Sequence, residues 1–571
     1  MLNLKPEYMS LSSLLSKKLF GIPDYQRAYS WKKKQRRELF DDIEKIMMSS
    51  DSQRHHFMAT IVCLVTDQTE EVGTDELVRL DIVDGQQRLT TLIILLKAIA
   101  KYFENSDVEL EKKQAQELNE LLVKDNGRLI LLQTNHRSKI IFSDYLKEGK
   151  LPEENDLLTL AEYNLYDAFV ECEKFVNDFQ TGTAVLSLLK VVKNRLDFIF
   201  YDLQDEGAVY TVFEVLNSRG LAVAWLDKCK STMMGIVYEK EEAVVAKERM
   251  VLLNDIWSQI YLTIGKQVVR DDEILTIAAT LWDDENKGKP LSVEKSVECF
   301  KDKVTKNPER AIESSKWILK VAQELAELYA NPRLNAVTDI SHARILAIAI
   351  KVSPQFSKEE RKKLLSEWER VTFLIFGLHR KDSRFRVGAY LRVARKLIKQ
   401  KVEDVDEAIK EIQGIAERFT IEEAIEEIKG EDWYGSFDND VKYLLYRYEE
   451  YLAQQKGEKI SEDTWKKIWS DTPAKTIEHI HPKTYIETWK GKIGDSQEEI
   501  DSVVNGIGNL ILLPPGINSK AGQKVFEEKK EIYSPYHLLM IEEVTKLSDW
   551  DKESIEKRES RLLDFIRKTW G

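Results

Sequence analysis

The chain has 571 residues, of which 43% are hydrophobic and 32% charged, with a formal net charge of −13. This length exceeds one ordinary core and predicts two or three domains of a globular chain with many solvated helix faces. The acidic balance argues against a protein that coats nucleic acid non-specifically. A local basic cluster, Trp31–Arg37, fits either a small basic groove or a solvated helix start. No apolar run approaches the roughly eighteen residues of a membrane span. The Met1–Pro6 start lacks a charged-then-apolar leader pattern, so a cytoplasmic location without a membrane partner is expected. Cys63, Cys172, Cys229 and Cys299 lie far apart and form no C-x-x-C pair. A disulfide framework or structural zinc site is therefore not expected.

The first hundred residues mix strand and helix signals. Thr60–Val65 is short, continuous and β-branched, the pattern of a buried strand. Thr66–Glu76 is acidic and contains glycine, and is predicted as a turn or loop before a returning strand over Leu77–Val83. Asp84-Gly85-Gln86-Gln87-Arg88 breaks the apolar run, and Leu89–Phe103 is helical in spacing. From about 105 to 430 the chain is mostly helical, as in Glu109–Val123 and Arg310–Tyr329. Phe198–Tyr201 is an exception with strand character. Three regions are expected: 1–240, a helical middle over 241–430, and a small mixed α/β unit over 431–571.

Three N-terminal pieces carry arginine beside amide or glycine partners. They are Ile22–Trp31, Asp84–Leu92 and Phe213–Leu221. Arg27, Arg88 and Arg219 each offer a forked donor suited to phosphate. Gly85 lets backbone approach an anion closely. Thr90 and Thr91 are predicted at the start of a helix, whose free amides favour phosphate. The pattern is not a Walker-type loop. Residue types alone leave two readings open: phosphate sites, or buried arginines and glutamines that fix loops.

The C-terminal pieces are Thr476–Pro482, then Asn505–Leu513, then Pro514–Lys520. Phosphodiester cleavage needs a base to activate water and a cation to stabilise the leaving oxygen. Histidine supplies a base near neutral pH, while carboxylate and amide oxygens suit magnesium. In a strand Glu478 and His479 point to opposite faces, so a common site requires a bend or bulge at one of them. His481 competes with His479 for the role of base, and Lys520 and Lys524 are candidate phosphate contacts.

Together these motifs resemble the GmrSD-type, modification-dependent (type IV) restriction endonucleases. Q-R-x-Y-x-W with D-G-Q-Q-R-L-T-T-L looks like their N-terminal domain, which is related to the ParB and sulfiredoxin fold. Acidic-His-Ile-x-Pro, Gly-Asn-Leu-x-Leu-Leu and a later Asn resemble an HNH, or ββα-metal, nuclease. The resemblance implies a multidomain, mostly α protein: an α+β N-terminal domain, a helical middle and an HNH domain. It also implies that His479 is the general base and that Asn509 braces the hairpin and orients His479. Glu478 and Asn518 become the ligands of Mg2+ or Mn2+. Gln26, Arg27, Asp84, Gly85, Gln86, Gln87 and Arg88 form a nucleoside triphosphate site, joined by Asn217, Arg219 and Gly220. Asp84 is placed to hold a metal or a water. Many family members carry Asp where Glu478 stands and His where Asn518 stands. The expected function is nucleotide-gated endonuclease cutting of modified phage DNA, with NTPase activity. Two alternatives stand beside it: a nucleotide-responsive DNA-binding regulator with a vestigial nuclease end, and a nuclease indifferent to modification. The helical middle is open as a spacer, a reader of modified DNA or a homodimer surface.

Overall fold

The computed structural model describes residues 6–24, 26–49, 51, 54–204, 224–266, 269–283, 288–337, 339–435, 438–460, 462–484 and 486–571. The chain is mostly helical with a mixed sheet near its N-terminus. It divides into two compact units, Met1–Asp284 with Leu291–Ala326, and Glu285–Pro290 with Glu327–Gly571.

The sheet of the first unit has six strands: β1 (Glu7–Ser10), β2 (Lys18–Gly21), β3 (His56–Val72), β4 (Asp75–Asp84), β5 (Leu132–Gln133) and β6 (Leu196–Leu203). Their order is β1-β6-β3-β4-β2-β5. β3 and β4 pair antiparallel, with a register shift between Val65 and Thr69. The predicted loop over Thr66–Glu76 is instead strand almost throughout: β3 runs to Val72 and β4 begins at Asp75. Gly73, at φ +63°, supplies the turn. Polar side chains mislead here because these strand ends are exposed and need no apolar face.

The helices of this unit include α1 (Lys33–Met47), α2 (Gln86–Glu104), α3 (Glu109–Leu122), α4 (Leu160–Asn177), α5 (Gly182–Asn194), α6 (Trp225–Lys240), α7 (Ala243–Lys266) and α8 (Asp271–Trp282). α2 is apolar on nearly every side because α3, α4 and α5 all pack against it. Within the basic cluster Arg36 is structural, while Lys32, Lys33, Lys34 and Arg37 are exposed. Arg36 is fully buried and forks onto both oxygens of Glu171, at 2.8 and 3.0 Å. Arg37 pairs with Asp41 along α1.

The second unit is built on α9 (Ser341–Val352), α10 (Lys358–Phe373), α11 (Val387–Ile398) and α12 (Asp438–Lys456). A π-helical turn, Leu374–Leu378, follows α10 directly. Its C-terminal part is a short hairpin of β7 (Ile477–His479) and β8 (Leu510–Leu512), with α13 (Ile517–Ala521), α14 (Phe526–Tyr533) and α15 (Lys552–Trp570). Among the described residues no helix is long and apolar enough to cross a membrane.

Candidate functional sites

In the N-terminal unit the chain leaves β4 at Asp84 and enters α2 through Gly85. Gly85 sits at φ +88°, and a Cβ there would lie 2.3 Å from Ile61 Cδ1 and 3.0 Å from the Thr60 carbonyl. Only glycine makes this turn without strain. The helix begins at Gln86, four residues before Thr90. Thr90 and Thr91 therefore do not open it: their hydroxyls donate back to the carbonyls of Gln86 and Gln87 at 2.7 and 2.8 Å. The free amides at this helix start belong to Gln86, Gln87 and Arg88.

The three glutamines hold the Arg27–Ser30 loop and its surroundings. Gln86 Nε2 donates to Arg27 O at 3.2 Å, and Gln87 Nε2 to Ala28 O at 3.2 Å, while Gln87 Oε1 accepts from Ser30 N at 2.7 Å. Gln26 Nε2 reaches Val83 O at 3.4 Å. Arg27 Nε lies 3.4 Å from Asp227 Oδ2. Arg88 lies over the Trp31 ring at 5.6 Å. Burial pushes the Asp84 carboxyl up, against the lowering effects of the Gly85 amide, Arg27 and Arg88. Asn217, Arg219 and Gly220 lie outside the described residues.

Sequence reasoning missed a group from α6 to α8. Asp227 meets Arg27 and accepts a short hydrogen bond from Tyr261 OH. Burial pushes the Lys230 ammonium down to about 8, although Asp227 raises it. Arg27, Trp225, Tyr261 and Asp271 share the wall of a cavity of about 520 Å³. The available signal was Asp227 and Lys230, three residues apart on one helix face.

In the second unit, β7 pairs with β8 in the register Ile477↔Leu512, Glu478↔Ile511 and His479↔Leu510, without a bulge. The expected bend is absent, so Glu478 and His479 point to opposite faces. Asn509 ties the segment after β7 to β8: its Oδ1 accepts from His481 N at 2.8 Å and its Nδ2 donates to His481 O at 3.0 Å. Trp550 Nε1 donates to the same Oδ1 at 3.0 Å. Gly508 lets α15 pack on bare backbone, since a Cβ there would meet Ile555 O at 2.4 Å.

Asn509 makes no hydrogen bond to the His479 ring. The residue that does is Asn505, whose Oδ1 lies 3.0 Å from His479 Nε2. Asn505 Nδ2 donates to Asp432 Oδ2 at 3.1 Å. A carboxylate only accepts, so Asp432 fixes which end of the Asn505 amide faces the imidazole. His479 Nε2 must then donate, and the lone pair of neutral His479 sits on Nδ1. Tyr434 lies edge-on against the ring, with centroids 4.5 Å apart. Burial pushes His479 down to about 4, more than Asn505 raises it. His481 is wholly buried, with Nδ1 on Pro482 O at 2.8 Å and its ring edge-on to Trp489. It presents no nitrogen to solvent, and its buried Nε2 has no hydrogen-bond partner.

Glu478 faces α14. Its Oε1 accepts from Lys529 Nζ at 2.7 Å and from Tyr533 OH at 2.8 Å. Lys529 also donates to His479 O at 2.8 Å. Asn518 Nδ2 donates to Ile477 O at 2.7 Å and Ala474 O at 3.2 Å, which leaves Oδ1 unengaged by these carbonyls. Among the described residues, no group of three or more His, Cys, Asp or Glu is arranged to hold a metal. Hydrated Mg2+ needs only one or two protein oxygens beside water and phosphate. Glu478 and Asn518 are oxygen donors of the right kind, but Glu478 faces away from the His479 ring and is paired with Lys529. Lys529 and Glu478 are almost fully buried, so removing one partner strands a charge. Lys529→Met is expected to lower unfolding free energy by about 3–5 kcal/mol in urea titration, with a smaller loss when Glu478→Gln is added. A double-variant loss equal to the sum of the Lys529→Met and Glu478→Gln losses would show that the pair is not coupled.

The two units thus carry an arginine-lined helix start and a braced histidine hairpin, the equipment of a phosphate-handling enzyme. Residues 11–234 match the model of the GmrSD restriction endonuclease, N-terminal domain. Residues 419–565 match that of the GmrSD restriction endonucleases, C-terminal domain. The chain belongs to the GmrSD family of type IV restriction endonucleases, and DNA is its partner. No curated protein matches it.

Proposed function

We propose that the protein is a metal-dependent endonuclease of HNH type that cuts modified foreign DNA, with His479 as general base and nucleoside triphosphate turnover as its gate. The observation that supports this most is the Asp432–Asn505–His479 chain of hydrogen bonds. It makes Nε2 the donor and leaves Nδ1 as the neutral acceptor, the state a base needs to take a proton from water attacking phosphorus. Asn518 would help hold Mg2+ or Mn2+ beside His479, with Glu478 joining it only through a bend in β7 that this conformation lacks, and the ion when bound would supply charge stabilisation to the phosphate and the leaving oxygen. Asn509 sets the backbone around His481, and Asn505 sets the ring of His479.

In the N-terminal unit, Arg27, Arg88 and the Gly85 turn would hold the phosphates of the nucleotide. Gln26, Gln86 and Gln87 position the loop that carries Arg27, and Asp84 would hold a metal or a water. The test is plasmid nicking with magnesium, with and without each nucleoside triphosphate, for wild type and His479→Ala. Identical behaviour of the two proteins would rule out this mechanism.

Asn505 acts through His479 and is a positioning residue. Asn505→Ala is expected to lower kcat by about 10- to 100-fold with KM nearly unchanged. A change in KM alone would assign Asn505 to DNA binding instead.

A further inference from the structure

Asp and Glu outnumber Lys and Arg by 98 to 85 over the chain, yet one stretch reverses this balance. From Arg384 to Lys401, seven of eighteen residues are Arg or Lys and none is Asp or Glu. Most of this stretch is α11. Tyr390, Leu391, Val393, Ala394 and Leu397 bury one face of the helix, which packs against α9. Arg392, Arg395, Lys396 and Lys399 recur at three- and four-residue spacing, which sets them on the opposite face. The stripe runs about 10 Å along the helix axis.

A solvated helix face ordinarily mixes both signs, because like charges four residues apart repel. In this stretch Arg392 and Lys396, and Arg395 and Lys399, stand at that spacing. Carboxylates outside the stretch answer only part of the charge. Asp382 lies 3.0 Å from Arg384, and Glu411 lies 2.6 Å from Lys396. Arg386 and Arg392 make no ion pair among the described residues. Arg386 rests on the Phe385 ring at 5.5 Å, and its Nε is buried without a hydrogen-bond partner. Arg392 is exposed and lies along the helix, with Nη1 3.2 Å from where a Cβ on Gly388 would stand.

The segment that leads into α11 is fixed beside the residues that hold His479. Arg380 lies over the Trp433 ring at 5.0 Å and 3.6 Å from Glu431. Trp433 N donates to Asn505 O at 3.1 Å, and the Asn505 side chain meets the His479 ring. The basic stripe and His479 thus belong to one compact unit.

We propose that the outer face of α11, with Arg384 and Arg386 before it, is a docking surface for the phosphate backbone of duplex DNA. The inference rests on the reading of the chain as a DNA endonuclease. Duplex DNA carries one negative charge per about 1.7 Å of axis, so the stripe faces several phosphates at once. Cations on phosphates read no base, so this surface positions the duplex whatever modification it carries. Part of the helical middle thereby holds the substrate, while the acidic balance elsewhere keeps the chain from coating DNA.

Binding of the full chain to labelled duplex DNA, with plain cytosine or 5-methylcytosine, is measured by fluorescence anisotropy without metal over a range of salt concentrations. Single-stranded RNA and polyglutamate serve as competitors. Wild type is compared with Arg392→Gln/Lys399→Gln, with Arg392→Lys, and with Lys112→Gln/Lys113→Gln on α3, which removes the same charge from another exposed helix. Circular dichroism checks that each variant is folded. The double variant on α11 is expected to bind both duplexes about tenfold more weakly at about 0.1 M salt, with a salt slope shallower by about 1 to 2. Arg392→Lys and the α3 variant are expected to keep the wild-type slope. An α11 variant that matches the α3 variant in affinity and slope would overturn the proposal. So would a loss that differs between the two duplexes, or a wild type that prefers RNA or polyglutamate to duplex DNA. A chain that binds duplex through α11 and cuts none would sink the endonuclease reading and leave the docking surface in place.

Discussion

His479→Ala is expected to cut DNA about 10²- to 10⁴-fold more slowly than wild type, the usual contribution of a positioned base. Among the described residues, this ring combines an Nε2 donor fixed by Asn505 with a place at the end of β7 beside the hairpin partner. The substitution removes no backbone bond and leaves Asn509, Trp550 and Arg558, which donates to Ile507 O and Gly508 O, to hold the hairpin, so the protein should stay folded. The pH dependence follows from the same burial. An imidazole pushed to about 4 stays neutral as pH falls from 8 to 6. Cutting should therefore not decline over that interval through protonation of His479. The stability consequence has the opposite reach: the unfolded chain protonates near pH 6.5 while the folded ring does not. Folding stability contributed by the neutral ring is complete above pH 6.5 and is lost progressively between 6.5 and about 4. A cutting rate that halves at pH 6.5 would show that the base has an ordinary pKa.

Arg88→Ala is expected to lower nucleoside triphosphate turnover by about 100-fold or more, the scale seen when a donor to a developing charge is removed. Arg88 stands in the first turn of α2, beside the free amides that Gly85 exposes, and no carboxylate neutralises it within ion-pair distance among the described residues. Its guanidinium rests on Trp31, and burial lowers its pKa against the attraction of Asp84. Such a cation is held ready for an anion rather than spent on an ion pair. Arg36 offers the contrast, with its fork already filled by Glu171. The Arg36→Ala change should damage folding, whereas Arg88→Ala should leave the melting temperature within a few degrees and C-terminal cutting without nucleotide intact. Unchanged turnover in Arg88→Ala would make the Gln86-Gln87-Arg88 segment structural.

Part of the local architecture was legible in sequence. The apolar pieces around His479 and Asn509 marked the hairpin, and Gly85 between an apolar strand and an apolar helix marked the turn. Local patterns failed where an element is exposed or where the partner is distant. The acidic ends of β3 and β4 looked like a loop because no buried face marks them. Thr90 and Thr91 looked like a helix start because the glutamines before them do not announce that they are buried. Asn505 carries the same amide as Asn509, and nothing in the spacing says which of the two reaches the imidazole.

The sequence by itself determined which chemical groups are present and how the strand and helix faces alternate. Those follow from residue type and from the fixed periods of backbone geometry. Tertiary structure alone decided that Asn505 and Asp432, 73 residues apart, fix the tautomer of His479, and that Lys529 occupies Glu478. It also decided that Asp227 and Tyr261 close around Arg27. These pairings depend on which buried groups can satisfy one another once the elements pack, a requirement that no local pattern encodes.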